Sequence, residues 1–185
     1  SAQEALAYAA TPIQAAEAYL QWGLVLAAKG DSQEASQQLH QSLLLAQQTE
    51  NRALQSKALI NLGKIAVRQS DYQTAIHHYH ATLAICQEMG DKQMEGAVLN
   101  DLGAVARYQN DFGTAVSHYT AALSIAQEIG DRRTESRALN LLGIIAGTRY
   151  QFLEARDYFS RDLQICREID DQDGEGEALG NLGHM

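Results

Sequence analysis

The side chains best suited to chemistry fall into three groups. The first is "HHYH", where His77, His78 and His80 stand together. His77 and His80 have the i, i+3 spacing that lets a helix surface offer two imidazoles to one metal ion. No carboxylate or cysteine completes a ligand set at metal spacing. His78 has a counterpart at His118 and His80 one at His40, each 40 residues away, so the histidines follow a period and not a site. An outer helix surface without a metal is the expectation. The second group is Cys86 and Cys166, which share one column with Ala46 and Ala126. That column wants a small apolar residue, and cysteine serves as one. Two repeats apart, on the order of 20 Å if neighbouring helices pack at ~10 Å, they lie beyond the Cα separation of about 7 Å that a disulfide tolerates. Free, buried thiols are expected. Ser, His and Asp otherwise occupy repeat positions, with no nucleophile–base pair, phosphate loop or paired-carboxylate site. The chain therefore reads as a non-enzyme, with no catalytic residues and no cofactor.

The third group is basic. Lys57, Lys64, Arg68, Arg107 and Arg137 are five of the chain's 14 lysines and arginines, and they fall at matched positions with Asn100, Tyr108 and Asn140. The whole molecule has a formal net charge of −9, so a basic stripe stands out against it. Arginine pairs a carboxylate through two parallel hydrogen bonds. Asparagine offers a peptide amide both a donor and an acceptor. These eight residues are expected to bind a peptide segment carrying Asp or Glu, with Leu20 and Leu24 forming an apolar anchor point in the first unit. The competing reading has the basic side chains solvated or paired with Asp101, and Asn100 satisfying a neighbouring helix.

A repeat positions all three groups. "YLQWG", "LINLG", "LNDLG", "LNLLG" and "LGNLG" place glycine at 23, 63, 103, 143 and 183, a strict 40-residue period. A period in the 20–50 range marks a stack of supersecondary units. Ala35, Ala75, Ala115 and Ala155 keep the same period, followed by Leu39, Tyr79, Tyr119 and Phe159, then Leu43, Leu83, Leu123 and Leu163. Spacings of three and four residues put these on one helical face. Each unit thus holds two helices, A over about 52–69 and B over about 72–89 in the second unit. "GD", "SD" and "ND" supply an Asp N-cap for helix B, and "MGD" or "IGD" ends it and caps the next helix A. Glycine inside a helix costs about 1 kcal/mol relative to alanine. Gly103 repays that cost by letting helix A approach Tyr119 of helix B closely.

Composition agrees with an all-helical chain: 45% hydrophobic residues, one proline and two cysteines in 185 residues. The acidic balance argues against nucleic acid and anionic membranes as partners. No apolar run reaches about 18 residues, so no membrane span is expected. The few cysteines suit a reducing, cytoplasmic setting.

Leu59-x-x-Leu62-Gly63 followed by Ala75-x-x-x-Tyr79 resembles the tetratricopeptide repeat (TPR) signature, and Trp22-Gly23 fits it in the first unit. The 40-residue form resembles the TPRs of Pins/LGN-type adaptors and bacterial regulatory arrays, and more loosely those of kinesin light chain. The resemblance implies an all-α, right-handed superhelical solenoid of antiparallel helix pairs, with about four full repeats and a half repeat at each end. The expected divisions are 1–10 as the end of a preceding helix B, 11–50, 51–90, 91–130 and 131–170 as repeats 1 to 4, and 171–185 as an unpaired helix A. That layout suggests a single array cut from a longer protein. It also implies a protein–protein interaction module whose A helices line a concave peptide groove, with Asn and Arg ladders holding acidic segments in the Pins/LGN-type arrays. The alternative is a structural spacer or self-association module, joined through Leu179 and Leu182 of the uncapped last helix.

Overall fold

The computed structural model describes residues 11–184. The helix B end expected at 1–10 lies outside the described residues. Nine α-helices and no strand occur among the described residues. They fall into two compact units, Ser1–Gly90 and Asp91–Met185.

The first unit holds α1 (Pro12–Lys29), α2 (Ser32–Gln48), α3 (Arg52–Arg68) and α4 (Tyr72–Met89). The second holds α5 (Lys92–Tyr108), α6 (Phe112–Ile129), α7 (Arg132–Thr148), α8 (Phe152–Glu168) and α9 (Gln172–Gly183). Within each unit every helix packs on the next, and the A helices α1 and α3, or α5 and α7, also touch each other. Helices in proteins draw most of their stability from such packing.

Helix starts follow the expected chemistry. Asp31, Asp71 and Asp111 accept the backbone N–H of Glu34, Thr74 and Thr114 at the head of helices B. Asn51, Asp91, Asp131 and Asp171 do the same for helices A. Gly90 and Gly130 end α4 and α6 at φ of 69° and 70°, a region closed to most side chains. The exception is α8: its N-cap, Gln151, makes no side-chain cap bond. Restoring the pattern with Gln151→Asp is expected to raise the stability of the second unit by about 1 kcal/mol. Urea unfolding of the two proteins checks this, and an unchanged midpoint would count against the capping account.

At 63, 103 and 143 the glycine column does what its period implied. A Cβ at Gly63 would lie 2.5 Å from Tyr79 Cε1, and one at Gly143 would lie 2.6 Å from Phe159 Cε1. Gly103 meets Tyr119 in the same way. Tyr79, Tyr119 and Phe159 are each at most 2% exposed, so the helix A backbone forms the wall of an aromatic pocket. In the first unit Leu20 is buried and Leu24 packs against the same cluster, so the expected apolar anchor point is core. At the end of the second unit, Ala178 is buried and Leu182 packs against Ala146, Ala155 and Phe159, while Leu179 remains 47% exposed. Cys86 and Cys166 are buried thiols outside any disulfide, as their column implied.

The histidines of the first unit form a ring cluster. His78 lies 6.3 Å from His40 and 5.8 Å from His77 between ring centroids. Burial holds the His78 pKa below its ordinary 6.5, the charges of His40 and His77 lower it further, and Asp71 acts in the opposite sense. The unfolded chain thus takes up a proton at higher pH than the folded one. Stability is full above about pH 6.5 and falls as the pH drops through that value toward the folded-state pKa. Thermal midpoints measured between about pH 8 and about pH 5 should decline, and His78→Gln should flatten the decline. An identical slope in the variant would remove His78 from the account.

Candidate peptide-binding site

The eight residues of the basic stripe divide between the units. In the first, Lys57 and Lys64 on α3 are exposed. Arg68, at the end of α3, donates from Nη1 to the Ala27 carbonyl at 2.9 Å, which fixes the guanidinium against α1. The second unit holds the other five, on α5 and α7.

On α7, Arg137 is half-exposed and donates from Nη2 to Asp101 Oδ1 of α5 at 2.6 Å. Asp101 is 6% exposed, and its Oδ2 is buried with no donor among the described residues. Asn100, beside it, is fully buried. Its amide donates to the Thr134 carbonyl of α7 at 3.4 Å, while its Oδ1 is likewise buried with no donor. Arg107 lies about two turns beyond Asn100 along α5, its guanidinium carbon 4.9 Å from the centroid of the Tyr108 ring. Such a cation–π contact orients the charge without neutralising it. The Tyr119 hydroxyl of α6 is raised in pKa by burial, an effect opposed by the neighbouring Arg107 charge. Asn140 of α7 donates to Asp162 Oδ2 of α8 at 3.3 Å.

This arrangement differs from the open stripe expected along the A helices. Ile60, Asn100 and Asn140 share one column, and all three are buried. Asn100 is covered where α5 meets α7, through its bond to Thr134, and Asn140 where α7 meets α8, through its bond to Asp162, which closes the middle of the stripe and leaves its rims accessible. Lys57, Lys64, Arg68, Tyr108 and Arg137 occupy the exposed rims. Sequence reasoning assigned no ligand role to Asp101, and it overlooked Ser136 and Asp162. A signal existed for the last: Asp162 occupies the column of Ser42, Thr82 and Ala122, where every other unit is neutral.

Electrostatically, α5 and α7 therefore present a mixed surface: two guanidinium groups, a tyrosine ring and two buried acceptor oxygens. Its guanidinium groups can hold a carboxylate. Among the described residues no group of three or more His, Cys, Asp or Glu is placed to hold a metal ion. No helix among them is long and apolar enough to cross a membrane.

Paired helices repeating every 40 residues, closed by glycine–aromatic contacts, define an all-α helical-repeat protein. The tetratricopeptide repeat family model matches residues 14–88, 60–128 and 94–161. Together these matches cover most of the chain, which belongs to the tetratricopeptide repeat family. No curated protein matches it by sequence. Solved structures share the fold at low identity. Aspartyl phosphate phosphatase F from Bacillus subtilis superposes with a TM-score of 0.89 at 15% identity, over 94% of this chain and 45% of that one. A Rap protein complexed with Competence and Sporulation Factor gives 0.87 at 16% identity, over 95% and 49%. A signal transduction ATPase with numerous domains, carrying a tetratricopeptide repeat sensor, from Pyrococcus horikoshii gives 0.86 at 16%, over 98% and 28%. This chain thus spans less than half the length of each of these three.

Proposed function

We propose that the chain is a protein–protein interaction module whose second unit binds a peptide segment bearing Asp or Glu against α5 and α7. The observation that carries this reading is the gathering of two guanidinium groups, Arg107 and Arg137, about Tyr119, with Arg137 and Tyr108 at the exposed rim. A segment laid along the exposed rim offers its carboxylate to the guanidinium groups. Tyr108 offers an aromatic surface at one side, and Asn140 holds the α8 side of α7. In the first unit Lys57, Lys64 and Arg68 give α3 the same sign of charge and extend the preference for acidic segments. The family and fold support an interaction module, and the Rap protein complexed with Competence and Sporulation Factor is a protein of similar fold that accommodates a partner.

Fluorescence-anisotropy titration with pooled acidic, basic and neutral peptides at two salt concentrations tests this. Selective binding of the acidic pool, weakened by salt, is expected. Equal binding of all pools, or none with the protein folded, would contradict it.

A second reading, self-association, has one observation in its favour: Leu179 is 47% exposed on the last helix beside the buried Ala178. Light scattering decides it. A concentration-dependent dimer abolished by Leu179→Glu would favour self-association, and a monomer at all concentrations would exclude it.

A further inference from the structure

Behind Arg137, the second unit has a cleft of about 510 Å3 between α7, α8 and α9. Its floor is Ser136, Asn140 and Asp162, and Asp162 is only 1% exposed. Ser136 donates to Asp162 Oδ1 at 2.5 Å, Asn140 donates to Oδ2 at 3.3 Å, and the Cys166 thiol reaches Oδ1 at 3.5 Å. All three partners are neutral. A buried carboxylate without a counter-cation is among the more costly arrangements in a protein. Burial accordingly raises the Asp162 pKa, the three hydrogen bonds lower it, and the nearby Glu177 raises it again.

The walls carry more carboxylates than cations. Arg133 and Arg137 of α7 stand on one side, and Asp173 and Glu177 of α9 on the other. Arg137 is turned to Asp101, and Asp171 is engaged as the N-cap of α9. That leaves Arg133 against three carboxylates: Asp162, Asp173 and Glu177. The cleft is also built to stay in place. Gly174 brings α9 so near α8 that a Cβ there would lie 2.8 Å from Cys166 Sγ.

We infer that this cleft binds the cationic side chain of an arginine in a partner segment, with Asp162 as counter-ion at its floor and Asp173 and Glu177 along its wall. Guanidinium is less strongly hydrated than ammonium and is the cation best suited to buried pairing. The inference rests on the interaction-module reading only for where the arginine comes from. It adds a basic residue to the acidic segment proposed for α5 and α7.

The test uses the full chain and two small probes, acetyl-arginine amide and its neutral isostere acetyl-citrulline amide, followed by NMR amide shifts. Saturable shifts at Ser136, Asn140 and Gly174 are expected with the arginine probe, at least about tenfold tighter than with citrulline. Asp162→Asn should remove that preference. Glu177→Gln, on the exposed wall, should reduce it in a protein that melts normally, and it decides the matter if Asp162→Asn does not fold. Equal binding of the two probes, or no saturable shift at these amides, would overturn the inference. Putrescine displacing the arginine probe at lower concentration would overturn the assignment to an arginine side chain. These probes carry no carboxylate, so failure of the acidic-peptide titration leaves this result standing, and the reverse also holds.

Discussion

Gly103→Val is expected to cost the second unit about 3 kcal/mol or more, the upper end for overpacking a tight core. The new side chain enters the space of the Tyr119 ring, and Tyr119 is 0% exposed, with Ala106, Ala115, Leu142 and Ile145 in the same cluster. Neither partner can withdraw. Valine recovers less than about 1 kcal/mol in helix propensity, so the clash wins. Against a typical total of about 5–15 kcal/mol, the loss should be visible as an early urea transition. A cycle of Gly103→Ala with Tyr119→Ala isolates the contact. The double variant should lose less than the sum of the singles, because removing the ring removes the clash. Full additivity, or a Gly103→Val protein that unfolds like the wild type, would contradict this packing.

The largest effect on binding is expected from the Arg137–Asp101 pair. Arg137→Glu replaces a donor with a carboxylate facing the buried Asp101, and it repels an acidic segment. A hydrogen bond to a charged group contributes about 1.5–3 kcal/mol, a factor of roughly 10–100 in affinity. Arg137 is 49% exposed on its side chain, so the lower end of that range applies. Asp101→Asn should act in the opposite direction. Asp101 already occupies the Arg137 guanidinium, and a ligand carboxylate competes with it. Neutralising Asp101 should tighten acidic-peptide binding several-fold while leaving helix α5 intact. Anisotropy titrations of both variants check the pair of signs. Two variants shifting the same way would break the competition account.

The helix pairs, their caps and the glycine–aromatic contacts were legible because each depends on residues at fixed, short spacings repeated every 40 positions. Asp71 before Tyr72, or Gly103 ahead of Tyr119, means the same thing wherever the period recurs. The site was less legible. The period assigned Asn100 and Asn140 to a column but not to its surroundings, and packing buried them, Asn100 against α7 and Asn140 against α8. Asp101 was visible as a candidate partner for the basic stripe, but its pairing with Arg137 joins residues 36 apart and follows from helix packing. The Asp162 floor draws on α7 and α8, with α9 closing the cleft. Only the break in its column, Asp after Ser42, Thr82 and Ala122, pointed there. At the turn into α8, Tyr150, Gln151 and Leu153 likewise break their columns, and Tyr150 is exposed at 80% and Leu153 at 77%.

The most direct measurement is a map of backbone amide shifts on adding an acidic peptide from the responding pool to the isotopically labelled chain. The account predicts the largest shifts along α5 and α7, at Asn100, Asp101, Arg107, Tyr108 and Arg137. Shifts concentrated on the outer faces of α6 and α8, or at Tyr150 to Leu153, with α5 and α7 unmoved, would contradict it.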